Sequence, residues 1–447
     1  MLPYNQDNIV ALATPPGNGA LAIVRLSGKN LFNLYKSLTH KAPKNRYALY
    51  SKIYHPSRGF LLDEAVITYF KSPNSFTGED MVEISCHGGV NVRESVVGAT
   101  IDGGARLARP GEFSLRSFLN GKIDLLQAEA ISSLISSKSK LSLEISLEHL
   151  SGKVSRAIGS LKQDALDLLS IIENELNFSD EEIIPIKTSK IISDICNIRD
   201  SIDSLLRSSV IGKNIFSGVR VILYGKPNSG KSTLYNAILG HDRAITSSIP
   251  GTTRDCLESW FELGGIPICL VDTAGIGGAK SELDVLAVKQ TIIELKRADI
   301  CIIVDEDNPH LLIDDAFRRI YNKHCIWVRS KSDLLQMDIK NSSEYLFVSS
   351  IKNLGIDRLL TSISTCVVDN YSYDSSVGAL ITNRQRGLLR DSLDCLNLAH
   401  KQLKSNVGMD VVASTVRGFS LALMEIIGEI PDKDIIENIF KNFCIGK

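Results

Sequence analysis

Charge imbalance, long apolar runs and paired cysteines are all lacking in this sequence of 447 residues. Its 50 basic and 51 acidic residues leave a formal net charge of −1, which excludes a global field that attracts polyanions. Any contact with nucleic acid must therefore be local or made together with a partner. No stretch approaches the ~18 apolar residues of a membrane span, and the first residues lack the basic and apolar segments of an export signal. We expect a cytoplasmic protein without a membrane anchor.

The cysteine pattern favours the same compartment. The nine cysteines are scattered, their number is odd, and none of them belongs to a C-x-x-C pair. This pattern predicts reduced thiols in a cytosol-like compartment rather than a disulfide framework or a zinc site. The hydrophobic content of 44% is ample for buried cores, and the length predicts two to four domains.

A phosphate-binding loop is the most specific motif in the chain. Residues 225–233 read GKPNSGKST, directly after the apolar run 219–223 and directly before a helical pattern at 234–239. The glycines allow backbone N–H groups to face phosphates, Lys231 reaches the outer two phosphates, and Ser232 is placed to hold magnesium. The pattern predicts that a nucleotide is bound by six consecutive residues: Asn228, Ser229, Gly230, Lys231, Ser232 and Thr233.

A second motif begins where the apolar run 266–271 ends. Asp272 is a strand-end carboxylate that can bind magnesium through water, and the N–H of Gly275 can sense the terminal phosphate. Thr273 and Ala274 lie between them. We interpret these four residues as a switch region.

Two further segments predict that the base is guanine. Asp333, shortly after the apolar run 325–328, is placed to accept the two edge N–H groups of guanine, a donor pair that adenine lacks. Lys331 keeps the usual spacing, but Ser330 stands where most G proteins have Asn, which predicts weaker bridging hydrogen bonds. The last base-contacting loop follows the short strand predicted at 345–348 and comprises Ser349, Ser350 and Ile351.

A polar turn at residues 249–255 lies between the phosphate loop and Asp272. Its threonines follow Gly251 and can complete the coordination of magnesium once the terminal phosphate is present, with Thr253 as the predicted ligand. Arg254 leaves two interpretations open. It is either an arginine finger that stabilises charge in the transition state, or a structural residue.

The order of apolar runs predicts the fold class. From about residue 217 to 370 these runs alternate with helical patterns, which predicts a mainly parallel, doubly wound α/β sheet. Helical periodicity occurs before this segment, at 154–176 and 191–205, and resumes after residue 376. The nucleotide domain is therefore predicted to be inserted into a helical domain, with two separate helical domains as the alternative.

The N-terminal region has a different character. Short β-like runs at 21–26 and 65–70 are separated by turns rich in proline and glycine, which predicts a compact α+β unit. The predicted domains are an α+β domain at 1–118, a helical domain in two parts at 119–216 and 371–447, and a P-loop G domain at 217–370. Inter-domain joints are predicted at 208–217 and 371–378.

These segments, in this order, resemble one family from end to end: the tRNA-uridine modification GTPases called MnmE or TrmE. Besides the nucleotide motifs, the strings that carry the resemblance are ATPPG at 13–17, NSFTGED at 74–80, CHGG at 86–89, ARPGEF at 108–113, FLNGKID at 118–124, QAEA at 127–130 and FCIGK at 443–447. No single string is diagnostic, but the ordered series is very specific.

The resemblance implies a homodimeric GTPase that works with an FAD-containing partner of the MnmG or GidA type. Together they would install a carboxymethylaminomethyl-type group at C5 of a tRNA wobble uridine. The N-terminal domain would be similar to folate-binding domains and would hold 5-formyl- or 5,10-methylene-tetrahydrofolate as the one-carbon source. Four charged residues fall on the family's folate-contacting positions: Arg25, Glu83, Lys122 and Lys447. Cys444 is implied either as a nucleophile or one-carbon carrier, or as a packing residue of that pocket.

The resemblance also implies a potassium ion beside the phosphates, where two G domains meet, in place of an arginine finger. Asn228 is the implied side-chain ligand, and three loop residues lie at the positions of the other ligands: Ser247, Ile249 and Thr252. A family glutamate that positions the attacking water aligns with Asp284, which has a shorter side chain.

Two other functions stay open from the sequence. A GTP-regulated ribosome-assembly or binding module would explain residues 217–370 without any one-carbon chemistry. A folate-binding scaffold with an inactive G domain is the third hypothesis.

Overall fold

The structure is a computed structural model that describes residues 7–29, 31–177, 188–241, 257–273, 282–334, 344–368, 382–405, 407–430, 433–441, 443 and 446. The chain divides into two compact units. The first unit combines Met1–Ser132, His149–Ile198 and Asp391–Lys447, and the second combines Ser133–Glu148 and Arg199–Arg390. Both units are therefore built from segments that are distant in sequence.

The N-terminal part of the first unit is a sheet with helices. Its elements are β1 (Ile9–Leu12), β2 (Leu21–Gly28), α1 (Leu31–Thr39), β3 (Ala48–Tyr54), β4 (Leu61–Phe70), β5 (Asp80–His87), α2 (Val90–Asp102) and β6 (Arg106–Leu107). The described strands pair in the order β3-β4-β5-β2-β1-β6, and only the β1–β6 pair is parallel. The strands predicted at 21–26 and 65–70 are confirmed as β2 and β4.

Buried apolar side chains alternate with polar ones along the middle of β2 and β5, so this part of the sheet has a core face and a polar face. Val24 and Ile84 are fully buried in the hydrophobic core of this sheet. Because successive side chains of a strand point to opposite faces, Arg25 and Glu83 lie on the other side. The antiparallel register sets these two residues directly opposite each other.

Helices follow this sheet in the sequence: α3 (Glu112–Leu119), α4 (Leu125–Ser136), α5 (Lys140–Leu150), α6 (Lys153–Asn177) and α7 (Thr188–Ser217). The periodicity at 154–176 and 191–205 is confirmed by α6 and α7. The inter-domain joint predicted at 208–217 is wrong, because α7 continues through it. Ile215 is fully buried in the core of the second unit. The helix ends at Ser217, and the φ of 75° at Gly218 suits a glycine that follows a helix C-terminus.

A parallel sheet forms the centre of the second unit. Its elements are β7 (Val219–Gly225), α8 (Lys231–His241), β8 (Leu257–Leu263), β9 (Ile266–Asp272), α9 (Glu282–Arg297), β10 (Ile300–Asp305), α10 (Asp315–Ile320), β11 (His324–Arg329), β12 (Leu346–Phe347) and α11 (Ile356–Val368), with 3₁₀ turns at Pro309–Leu312 and Ser332–Leu334. The described strands pair in the order β12-β11-β10-β7-β9-β8. All pairs are parallel except β8–β9, and the predicted α/β architecture is confirmed.

Three helices complete the chain: α12 (Asn383–Lys404), α13 (Met409–Ile427) and α14 (Lys433–Lys441). Ion pairs join α6 to α13 and the residues just after it, with Arg417 bonded to Glu173 and Lys162 to Glu429 at 2.6 Å. Phe440 of α14 packs in a core that includes Leu125 of α4. None of the described helices combines the length and apolar character needed to cross a membrane.

A buried ion network stiffens the polar side of the first unit. Arg116 is 1% exposed and donates to Glu79 at 2.9 Å, to Glu112 at 3.0 Å and to Asp7 at 2.8 Å. Burial alone would raise the pKa of Glu112, but hydrogen bonds from Arg106 and Arg116 and from a backbone N–H lower it to about 2. The network therefore ties α3 to the loop before β5, and Glu112 stays ionised at neutral pH.

Candidate functional site

The predicted nucleotide-binding residues that the structure describes lie at one edge of the second unit's sheet. Strands β7, β9, β10 and β11 run parallel, so their carboxyl ends meet at that edge. Ligands of open α/β sheets bind outside these ends. Gly225, Asp272 and Arg329, at the ends of β7, β9 and β11, therefore lie at the same edge of the sheet.

The phosphate loop depends on three residues with unusual backbone requirements. A Cβ on Gly225 would lie 2.2 Å from the carbonyl oxygen of Val304, so only glycine fits there. Asn228 and Gly230 have φ values of 62° and 89°, in the left-handed region that glycine and asparagine adopt most readily. The curvature of the loop thus follows directly from its sequence.

Lys231 is fixed across the phosphate loop. It is 5% exposed, and its Nζ donates to the carbonyl oxygens of Gly225 at 3.1 Å and Lys226 at 2.7 Å. Burial lowers the pKa of Lys231, and the nearby charge of Asp272 only partly offsets this effect. A buried ammonium group of this kind is stabilised by an anion that enters the loop.

The described residues that are expected to hold magnesium have side chains that suit a cation. Oδ1 of Asp272 and Oγ of Ser229 are buried, and neither has a hydrogen-bond partner among the described residues. Buried polar atoms are nearly always satisfied, so an unpartnered carboxylate oxygen here suits a hydrated cation. Ser232 is exposed at the start of α8, where its hydroxyl is accessible as a ligand. Thr273, by contrast, donates its hydroxyl to the Leu223 carbonyl at 2.7 Å and can offer only its backbone to a nucleotide.

Asp333 is the central residue of the predicted base-binding part of this edge. Ser349 is fully buried and donates its hydroxyl to Oδ1 of Asp333 at 2.6 Å. This hydrogen bond holds the pKa of Asp333 below its usual value. An ionised carboxylate only accepts hydrogen bonds, as recognition of the two guanine N–H groups requires. The side chain of Ile351 is 81% exposed and Ser350 is half-buried, so neither side chain anchors this loop.

Ser330 bridges the base loop and the phosphate loop. Its hydroxyl donates to the carbonyl oxygen of Ser229 at 2.7 Å, and Ser330 is 5% exposed. A bridge is thus present despite the replacement of Asn. Lys331 has a φ of 54°, and its Nζ lies 2.7 Å from the carboxylate of Glu306.

The sequence interpretation missed Asp305 at this edge. It is 3% exposed, and its Oδ1 accepts from the backbone N–H groups of Asp307 at 2.9 Å and Asn308 at 3.0 Å. Its Oδ2 lies 3.5 Å from Nζ of Lys226 in the phosphate loop. Its position directly after the apolar run 300–304, like that of Asp272 after its own run, is the signal that would have identified it.

Several predicted site residues fall outside the described residues: Ser247, Ile249, Gly251, Thr252, Thr253, Arg254, Ala274, Gly275, Cys444 and Lys447. Asp284 is part of α9, but only its backbone belongs to the described part of the chain. The roles predicted for these residues stay predictions.

A second polar site lies in the first unit, around Arg25. Its Nε and Nη2 donate to Oε1 of Glu83 at 2.9 and 2.7 Å, and both side chains stay partly exposed. The guanidinium group also lies 5.8 Å from the ring of Phe76 and 6.0 Å from that of Phe113. Its Nη1 is 3.5 Å from the carbonyl oxygen of Gly446, so the C-terminal end of the chain reaches this ion pair.

Two close backbone approaches shape the surroundings of this pair. A Cβ on Gly446 would lie 2.7 Å from the carbonyl oxygen of Leu12, which requires glycine near the C-terminus. A Cβ on Gly78 would lie 3.2 Å from Cγ of Lys122, so Lys122 packs beside the loop that also contains Phe76. The site therefore combines cations, a carboxylate and aromatic rings.

Comparisons with known proteins place the chain in a family. A family model described as the GTP-binding protein TrmE N-terminus matches residues 8–122, and one described as the MnmE helical domain matches residues 125–444. The tRNA modification GTPase MnmE of Aquifex aeolicus is 36% identical over 450 residues, which cover 99% of this chain and 100% of that protein. The chain belongs to the MnmE family of tRNA modification GTPases.

Other relatives agree with this assignment. The tRNA modification GTPase MnmE of Thermotoga maritima is 36% identical over 455 residues, which cover 99% of this chain and 100% of that protein. The solved G domain of the T. maritima FeoB iron transporter is 24% identical and covers 34% of this chain and 98% of that chain, with a TM-score of 0.27. A score this low is too weak for a structural argument, so membership of the MnmE family rests on the sequence matches.

The contact between Ser349 and Asp333 predicts a loss of guanine affinity in Ser349→Ala. The variant removes the hydroxyl whose hydrogen bond fixes the orientation and the charge of the Asp333 carboxylate. We therefore expect the Kd for GDP, measured by calorimetry on the full chain, to rise at least about tenfold. Ser362→Ala is the matched control, because that hydroxyl donates to the Arg358 carbonyl within α11. An equal Kd for the two variants would contradict this role of Ser349.

Proposed function

We propose that this protein hydrolyses GTP to GDP and phosphate, and that this cycle supports the modification of a wobble uridine in certain tRNAs. The observation that carries the proposal is the convergence of Lys231, Asp272 and Asp333 at one edge of a parallel sheet. Membership of the MnmE family supports tRNA as the substrate class. Hydrolysis would act as a conformational gate rather than as the modification chemistry itself.

In this proposal, different described residues bind the phosphates, the magnesium ion and the base of GTP. Lys231 would bind the outer phosphates from its buried position, and Ser232 and Asp272 would hold magnesium. Asp333 selects guanine. When bound, magnesium and potassium would neutralise the negative charge that develops as the phosphoryl group is transferred.

The remaining hydrolytic roles belong to this proposal. Thr253 completes the magnesium site when the terminal phosphate is present, Gly275 senses that phosphate, and Asp284 positions the attacking water. Asn228 binds potassium where two G domains of a homodimer meet, together with Ser247, Ile249 and Thr252. Asn228 is exposed in the phosphate loop, which supports its use as a ligand.

Potassium dependence is the direct test of the hydrolytic proposal. At equal ionic strength, steady-state GTP hydrolysis by the full chain should be faster in potassium than in sodium, on the order of tenfold or more. Asn228→Gly should lose this advantage. Glycine is the appropriate variant because Asn228 has a φ of 62°, so alanine would strain the loop whether or not potassium binds.

Each contrary result has a distinct meaning. A parent protein with equal rates in the two salts would remove the potassium-bridged dimer from the proposal. An Asn228→Gly variant that keeps the full potassium advantage would show that another residue supplies the ligand. GDP binding by the same variant is the folding control.

We further propose that the polar site around Arg25 holds a tetrahydrofolate one-carbon donor. The N–H donors of the pterin edge of a folate suit the carboxylate of Glu83, which Arg25 orients through the ion pair. The glutamate tail is anionic and suits the other cations proposed for the site. Phe76 is partly exposed and adds aromatic surface 5.8 Å from Arg25. Phe113 is fully buried and supports the guanidinium group from the core, at 6.0 Å. Lys122, Lys447 and Cys444 complete the proposed site. An FAD-containing partner of the MnmG or GidA type would join in placing the carboxymethylaminomethyl-type group on uridine C5.

Folate binding separates this function from that of a GTP-regulated binding module. Calorimetry of the full chain should detect 5-formyltetrahydrofolate, and Arg25→Met should weaken its binding at least about tenfold, because a charge-assisted contact is lost. Lys52→Met is the matched control, since Lys52 pairs with Glu64 on the surface at 3.8 Å. No folate uptake by the parent would favour the binding module, whereas normal uptake by Arg25→Met would place the folate elsewhere.

A further inference from the structure

Ser330 limits what the guanine pocket can recognise. A serine hydroxyl carries one proton and can donate only one hydrogen bond, whereas an asparagine amide carries two protons. Most G proteins have Asn at this position, so their side chain can hold the phosphate loop and also donate to the base. The serine of this chain cannot do both.

The geometry of Ser330 decides where its single proton goes. Its Oγ lies 2.7 Å from the carbonyl oxygen of Ser229. A carbonyl oxygen has no proton to give, so the hydroxyl must be the donor. Ser330 is 5% exposed, and its backbone N–H donates to the Asp305 carbonyl at 2.9 Å. The backbone of Ser330 is therefore held by the Asp305 carbonyl, and its only side-chain proton is already donated to the Ser229 carbonyl.

Guanine carries two acceptors that need a donor from the protein, O6 and N7. Its N1 and N2 N–H groups are matched by the carboxylate of Asp333. Ring nitrogen N7 bears no proton and only accepts hydrogen bonds. Ser330 can offer N7 only lone pairs, because its proton lies on the bond to Ser229.

We infer that this protein recognises guanine nucleotides without a hydrogen bond to N7, and therefore binds 7-deazaguanine nucleotides as tightly as guanine nucleotides. A site that donates to a ligand atom rejects an analogue lacking that atom, and a site without the donor does not. Ser330 would thus set a specificity that differs from that of a G protein with Asn. The inference rests on the proposed GTP site.

The test compares GDP with 7-deaza-GDP, which avoids any contribution from hydrolysis. Calorimetry on the full chain should give Kd values that agree within about twofold for the parent. In Ser330→Asn the second amide proton becomes available, and the Kd for 7-deaza-GDP should exceed that for GDP about fivefold, as expected for one neutral hydrogen bond. In Ser330→Ala both Kd values should rise by a similar factor, because the bridge to Ser229 is lost while N7 stays unrecognised.

The ratio of the Kd for 7-deaza-GDP to the Kd for GDP, measured on the parent protein, tests the inference without any variant. A ratio of about five or more would overturn the inference, since N7 would then be bound by a reoriented hydroxyl or by a bridging water. A ratio that stays near one in Ser330→Asn as well would overturn the assignment of this specificity to Ser330. The GDP measurement alone reports on the proposed function: no uptake of GDP would overturn both.

Discussion

The close approach of β7 to β10 is the constraint on which the nucleotide site depends. Gly225 lies so near the Val304 carbonyl that a Cβ would come within 2.2 Å of that oxygen. The phosphate loop therefore leaves the sheet directly beside the end of β10, and Lys231 can reach back to the carbonyl oxygens of Gly225 and Lys226. Any larger residue at position 225 would displace the loop from the edge where Asp272 and Asp333 lie.

Hydrogen bonds between loops then convert this edge into a single recognition surface. Ser330 connects the base loop to the phosphate loop, and Ser349 connects Asp333 to the loop after β12. Asp305 reaches Lys226 from the end of β10. The contacts of Ser330 with Ser229 and of Asp305 with Lys226 join segments that are far apart in sequence, so the site is set by the sheet rather than by any one motif. The sheet also sets the polar site of the first unit, because strand register places Arg25 opposite Glu83.

Much of this fold could be predicted from periodicity. Buried parallel strands read as continuous apolar runs, and β7, β9, β10, β11 and β12 coincide with such runs. Strand β8 was missed because it lies at the sheet edge and mixes polar with apolar residues, so it gives no continuous apolar run. The joint predicted at 208–217 was wrong because polar composition suggested a linker, while Ile215 anchors a continuing helix in the core.

The residue types at the site were readable from the sequence, but their contacts were not. The motif alone indicates Thr273 as a nucleotide contact, yet its hydroxyl is used inside the sheet. The motif also suggests a weakened bridge at Ser330, yet the shorter side chain reaches Ser229 at 2.7 Å. Both outcomes depend on backbone positions supplied by other strands, which no local pattern contains.

The central claim is that one guanine nucleotide binds at the edge formed by β7, β9 and β11. The most direct measurement is a calorimetric titration of the full chain, with magnesium present, with GDP and with ADP in parallel. The account predicts uptake of one GDP per chain and no detectable uptake of ADP over the same concentration range. Uptake of ADP with equal or higher affinity, or no uptake of GDP, would contradict it.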